Sequence, residues 1–386
     1  MTPCSFKRLE ERCEYMLPGE FAAPSVAGSQ LRNEAPLANQ IGVPQMQEFL
    51  SQYLGTNPRK FLLSLSIGFG EPWTFWAVEL VPGNHQFHQM FGFHRQSAVE
   101  HPSALPYSLT SPPVVPLWID PLLMQINIDC WLDRMIGDSQ TGWQRHWFPD
   151  PCQIWQLKIL EGICRLYRCH EAPHDRAGAL AHQTLRYALK MSVLNYVMGH
   201  AFLVPEEHVD MLFQHLKNPH FKQAHPKYVS PRAANKFVKM MALPVMRLVI
   251  EKTLSGLHEL LRACVSHRRL WDQTFAAVFL CLMVISSTQR ALSQRAIIFA
   301  ANNDSSYGRQ HAVSDARAMD EELVAYMVGM FHDTFRTVSA SKGFNPLSGI
   351  GSVDQQPCSR FAAYVKTMTD KYCESPWTLM RDHWHN

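Results

Sequence analysis

Apolar positions recur at helical spacing through the carboxyl-terminal two thirds of this chain, and they are most regular between Trp271 and Phe299. There Trp271, Phe275, Val278, Leu282, Ile285, Gln289, Leu292, Ala296 and Phe299 follow one another at alternating steps of four and three. That alternation keeps them on one face of an α-helix, and only Gln289 interrupts the apolar line. From Phe275 to Ile285 every residue is apolar or small, whereas from Ser286 onward the back face carries Ser287, Arg290, Gln294 and Arg295. A helix that is apolar all round is one surrounded by other helices. The all-apolar run is about half the roughly 20 residues that a membrane span needs. The pattern therefore predicts a buried central helix rather than an anchor.

Helices with clear start signals lead up to it. Asp120-Pro121 combines a capping carboxylate with a proline at the first helical position, ahead of LLMQINIDCWLDRMI and a terminating Gly137. Asp150-Pro151 repeats the device before QIWQLKILEGICRLY. Further helices are predicted from about Asp175 to Phe202, from Pro205-Glu206 through Leu216, and from Ser230-Pro231 over RAANKFVKMMA. Pro244 is expected to begin the next, with Met246, Val249, Ile250, Leu254, Leu257, Leu261 and Cys264 as its apolar stripe. Beyond the central helix, Asn302-Asn303-Asp304 marks a turn, GFNPLSGIGS (343–352) a loop, and helices are predicted at about Ala312–Thr337 and Arg360–Tyr372.

The amino-terminal part reads differently. Residues 1–57 are rich in Pro, Gly, Ser, Asn and Gln and predict loose structure, with one short helix near Pro44–Tyr53. FLLSLSIGFG and WTFWAVELVPG alternate partially and are β-rich, HQFHQMFGFHR is a candidate third strand, and PSALPYSLTSPPVVP (102–116) reads as a proline-rich connector. The expected fold class is mainly α: a multi-helix globular body in one domain over 58–386, carrying a small antiparallel β-ribbon at about 60–95.

Composition narrows the function classes. Nearly half the chain, 46%, is apolar, so a sizeable core is expected. The formal charge is only +3, which argues against a broad nucleic-acid-gripping surface. The stretch MTPCSFKRLEERCEYMLPGEF has no apolar segment of the signal-peptide kind. Ten scattered cysteines, several on apolar helical faces, suit reduced thiols better than a disulfide framework.

Motifs for chemistry are incomplete wherever they begin. Cys164, Cys169, His170 and His174 are close in sequence, but the chain contains no C-x-x-C, and Pro173 interrupts the segment. His85 and His88 fall on opposite faces of any strand that holds them, and His94 stands beyond. Gly68-Phe69-Gly70 lacks a third glycine, Trp73 standing in its place, so it reads as a hairpin turn; Gly349-Ile350-Gly351-Ser352 has no following Lys and reads as a linker. Asn303-Asp304 opens like a magnesium motif of terpene cyclases, but Tyr307 and His311 occupy the positions of its Ser and Glu, and Asp320-Glu321-Glu322 lacks a third carboxylate at a workable spacing. There is no G-x-S-x-G elbow. The basic groups His267-Arg268-Arg269 and Lys236 with Lys239 read as solvated helix faces, and Ser111-Pro112 as a loop with a possible phosphoacceptor. No catalytic, cofactor-binding or metal-binding residue is assigned, and no cofactor is expected.

The segment LWDQTFAAVFLCLMVISSTQRALSQRAIIFAANNDSSYGRQHAVSDARAMDEELVAYMVGMFHDTFR (270–336) resembles the carboxyl-terminal regulatory region of filamentous-fungal transcription regulators of the binuclear zinc-cluster group. The likeness extends through SPRAANKFVK (230–239) and more faintly to FLLSLSIGFGEPWTFWAVELVPG (61–83) and SPPVVPL (111–117). The resemblance implies a helical regulatory module, nuclear location and control of target genes, in some members those of secondary metabolism. Such regulators read DNA through a six-cysteine cluster containing C-x-x-C pairs, whereas here Cys4 and Cys13 are the only cysteines before Cys130. Either the chain is a shortened member or it acts without touching DNA. The function expected is that of a non-enzymatic regulator with a protein partner among transcription regulators, no specific DNA binding by itself and no membrane association. An all-helical enzyme and a small-molecule-sensing domain are the alternatives.

Overall fold

The computed structural model describes Leu9, Met16, and residues 58–68, 71–80, 112–117, 121–137, 154–169, 175–216, 229–263, 270, 273–281 and 283–285. Three strands come first: β1 (Lys60–Leu65), β2 (Trp73–Glu79) and β3 (Val114–Pro116). Five helices follow: α1 (Pro121–Gly137), α2 (Ile154–Cys169), α3 (Arg176–Gly199), α4 (Glu206–His215) and α5 (Arg232–Ala263). Residues 273–281 and 283–285 are also helical. The fold is mainly α with a small antiparallel sheet ahead of the helices. The described residues fall into two packing units, with divisions inside α1, α3 and α5.

In the first unit the core is built by helices. Met246, Val249, Ile250, Leu254, Leu257 and Leu261 of α5 are all buried, as their spacing requires. Residues 276–281, Ala-Ala-Val-Phe-Leu-Cys, are buried one after another, so this stretch is enclosed on every side. The lowest-cost way to bury hydroxyls in such a core is to return them to their own helix. Ser192 donates to the Ala188 carbonyl at 3.2 Å, Thr253 to Val249 at 2.7 Å and Thr274 to Leu270 at 2.7 Å. At the start of α3, Asp175 Oδ1 accepts from the Gly178 amide at 3.3 Å, which caps the first turn. Leu9 and Met16 from the amino-terminal segment are fully buried.

In the second unit the strand order is β1-β2-β3, antiparallel throughout. The pairs Phe61↔Ala77, Leu63↔Phe75 and Leu65↔Trp73 share one face, and Lys60↔Val78, Leu62↔Trp76 and Ser64↔Thr74 share the other. Phe61, Leu63, Leu65, Trp73 and Ala77 are buried, so the first face is the packed one. The hairpin between β1 and β2 contains Gly68 at φ 78, whose amide donates to Ser66 Oγ at 3.0 Å. Only glycine enters that left-handed region without a Cβ clash. Beyond β1, Ser66 and Leu203 exchange two backbone bonds of 2.8 Å, and the Val204 amide donates to Val229 at 2.8 Å, which lengthens the sheet by single bridges.

Two expectations are corrected. The third strand is Val114–Pro116, inside the supposed proline-rich connector, and it holds β2 through Val78↔Val115 with Leu117 N donating to Trp76 O at 2.8 Å. A short edge strand tolerates prolines because one of its sides needs no donors. HQFHQMFGFHR lies outside the described residues. Pro244, expected to begin a helix, lies inside α5, which runs unbroken for 32 residues. Pro244 itself is exposed while Ala242, Val245 and Met246 are buried, so the missing N–H falls on the solvent side. The remaining predicted helices match: α1 starts at Pro121 and ends at Gly137, α3 and α4 lie within their predicted spans, and α2 runs two residues past the predicted Tyr167 to Cys169. The helices at 44–53, 312–337 and 360–372 and the central helix beyond Ile285 lie outside the described residues.

Candidate interaction surface

α1 carries two apolar faces. Met124, Ile128, Trp131, Leu132, Met135 and Ile136 form the buried one, at steps of three and four. Leu122, Leu123 and Ile126 lie on the other side and are 63%, 50% and 49% exposed, and the exposed Cys130 is one turn beyond Ile126. An uninterrupted apolar stripe facing solvent is a feature of helices that dock a partner.

The last turn of α1 is gripped from two sides. Asp133 accepts a charge-assisted bond of 2.8 Å from Arg186 of α3. Arg168 of α2 donates to the Gly137 carbonyl at 3.4 Å, where the helix leaves acceptors unsatisfied. Tyr167, beside Arg168, hydrogen-bonds Arg186, and its ring stacks on His182 with centroids 4.2 Å apart. His182 and Arg186 are one turn apart on α3, so both meet Tyr167 on the same side. Partial burial opposes the Arg186 charge, but hydrogen bonding to Asp133 and Tyr167 and the negative charge of Asp133 outweigh it and hold the guanidinium above its ordinary value. The group stays charged at any accessible pH and serves as a fixed cation.

A second cluster is structural. Trp73 stacks on Trp131 at 4.6 Å and meets Phe202 at 5.4 Å. Asn235 of α5 fixes Phe202 from behind: its Oδ1 accepts from the Phe202 amide, and its Nδ2 donates to the Phe202 carbonyl at 2.9 Å. Ser230 Oγ adds a bond of 3.1 Å to the same carbonyl. Ser230 thus has a tertiary partner in addition to its place before the proline at the helix start. His215 of α4 lies flat on Phe61 at 5.0 Å.

The candidate chemistry separates as follows. Cys164 is buried on α2, and burial pushes its thiol up to about 12, against a small opposing effect of Arg168. Burial does the same to Cys281. A thiol held protonated is neither a ready nucleophile nor a metal ligand. Cys169 ends α2, and His170 and His174 lie outside the described residues, as do His85, His88, His94, Gly70, Asn303, Asp304, Tyr307, His311, Asp320, Glu321, Glu322 and Gly349–Ser352. Trp73, standing where a phosphate loop would need glycine, is a buried sheet residue. Among the described residues no three His, Cys, Asp or Glu side chains are grouped to hold a metal, and no helix is long and apolar enough to cross a membrane.

Asp133, Tyr167, His182 and Arg186 were not singled out in the sequence. Each falls at a partly polar helix position, and only the packing of three helices brings them together. The i, i+4 pair His182–Arg186 was the one local sign. No family model, curated protein or solved structure matches this chain.

Proposed function

We propose that this chain is a regulator of transcription that works by binding a protein partner through its helices, and that the partner brings it to DNA. The observation that carries the reading is the exposed apolar stripe of α1, Leu122, Leu123 and Ile126, standing opposite the stripe the fold uses. Leaving three large aliphatic side chains in water is unfavourable unless a partner covers them. The resemblance of residues 270–336 to fungal regulatory regions supplies the process, gene control, and the compartment, the nucleus. The near-neutral charge supports a route to DNA through a partner.

The test has two arms. The full chain is used as bait in nuclear extract beside Leu122→Gln/Ile126→Gln, with helix content checked by circular dichroism. A transcription regulator retained by the native chain and lost with the folded variant is expected. Fluorescence anisotropy with duplex DNA at physiological salt should show no sequence-specific binding. Nanomolar specific binding by the isolated chain overturns the reading.

A further inference from the structure

We infer that, when no other protein occupies it, the exposed stripe of α1 pairs with the same stripe of a second copy of this chain, the two helices running in the same direction. This rests on the protein-binding reading above and names what covers that stripe until the regulator does.

The outward side of α1 has the layout of a helix-pairing seam. Leu123, Ile126 and Cys130 are separated by three and then four residues, the spacing of the inner positions of a two-stranded coiled coil. All three are exposed, and the turn of the helix sets them opposite the buried Met124, Ile128, Trp131 and Met135. Leu122 and Asp129 flank the seam on one edge, and Asn127 and Arg134 on the other. None of these flanking residues is buried.

The edges select both the occupant and its direction. When two such helices run parallel, a residue on the first edge meets the residue five positions later on the second edge of its neighbour. Five positions after Asp129 stands Arg134, so each copy's acid meets the other's base, and twofold symmetry forms the pair twice. Antiparallel pairing sets acid against acid and base against base, which is unfavourable. Both side chains also interact within their own chain, and a carboxylate and a guanidinium each have capacity for a further bond. Asp133 holds the next seam position, where Arg186 of α3 already offsets its charge at 2.8 Å, so the apolar seam ends before it. Exposed ion pairs add little affinity, so the charges set direction while the apolar seam supplies the attraction. A seam of about two turns buries little area, so the dimer is a weak one that a regulator can displace.

The full chain is studied by sedimentation equilibrium across micromolar concentrations. Its average mass should rise from that of one chain towards twice that value. Asp129→Arg and Arg134→Glu each set like charges against one another and should weaken association about tenfold. Mixed together, the two variants should associate again, because each supplies the charge the other lacks. Bismaleimidoethane should link Cys130 of one copy to Cys130 of the other, identified by mass spectrometry on mixed isotope-labelled and unlabelled chains. If a charge variant unfolds by circular dichroism, Ile126→Gln, which removes one seam side chain, should still weaken association severalfold. A single-chain mass at every concentration, unchanged association in the folded variants, no recovery on mixing, or a dimer in which Cys130 never links to Cys130 each overturns the inference. No self-association with regulator capture by the stripe intact defeats this inference alone. Equal regulator capture by Leu122→Gln/Ile126→Gln, with the native chain self-associating as expected, defeats the parent reading alone.

Discussion

Gly256 of α5 faces Thr184 of α3 so closely that no side chain fits between them. A Cβ at 256 would stand 3.1 Å from both Thr184 Cβ and Cγ2, and nearer still to Oγ1. Thr184 is itself buried, so it has little room to turn away. Glycine in a helix interior costs roughly 1 kcal/mol relative to alanine, and here it is what lets the helices meet. Gly256→Ala is expected to destabilise the chain by about 1–3 kcal/mol in chemical denaturation, because the overlap outweighs the gain in propensity. A Thr184→Ala background removes Oγ1 and Cγ2 but keeps the Cβ contact, so the cost of Gly256→Ala should shrink by about 1 kcal/mol or more. An equal cost in both backgrounds would mean that the two helices do not pack through this pair.

Asn235 holds both polar groups of the Phe202 backbone in a buried site. Asn235→Leu keeps the approximate volume but leaves a buried N–H without its acceptor and weakens the carbonyl's satisfaction. The expected cost is about 2–4 kcal/mol by urea titration. A loss below about 0.5 kcal/mol would show that water or another donor replaces the amide easily.

Pro244 breaks the hydrogen-bond ladder inside α5. Since it is exposed and its neighbours pack well on either side, alanine should restore the missing bond without disturbing the core. Pro244→Ala is expected to raise stability by about 1–3 kcal/mol, read as a higher thermal midpoint. A lower midpoint would indicate that the ring's rigidity in the unfolded chain matters more.

Burial keeps Cys164 and Cys281 protonated to about 12, whereas the same thiols in the unfolded chain titrate near 9.0. Between those values the folded state holds protons that the unfolded state has released. Stability therefore falls as pH rises from about 9, by about 1.4 kcal/mol per pH unit for each thiol. Below pH 8 these groups leave stability unchanged. Denaturation curves from pH 7.5 to 10.5 should steepen in this sense, and Cys281→Ala should flatten the slope even though it lowers stability overall. Alkylation with iodoacetamide, mapped by mass spectrometry, should mark the exposed Cys130 in native protein and spare Cys164 and Cys281. Equal labelling of the three would contradict their burial.

Local chemistry was enough to place most helices. Proline followed by apolar residues at steps of three and four located α1, and a glycine ended it, because those effects act within one or two turns. The enclosed stretch 276–281 was legible because a helix apolar on all sides has no solvent face to offer. The continuity of α5 through Pro244 was not legible, since proline's local preference is to break a helix and only packing on both sides overrides it. β3 was hidden for the same kind of reason: Val114–Pro116 is a strand only because β2 lies beside it to share hydrogen bonds. The surface features depended on the tertiary structure entirely. Sequence periodicity shows that α1 has apolar residues on two sides but not which side is covered. It places Asp133, Tyr167 and Arg186 on their own helices but not against one another, because neighbours across helices are set by packing, which no spacing within a single segment encodes.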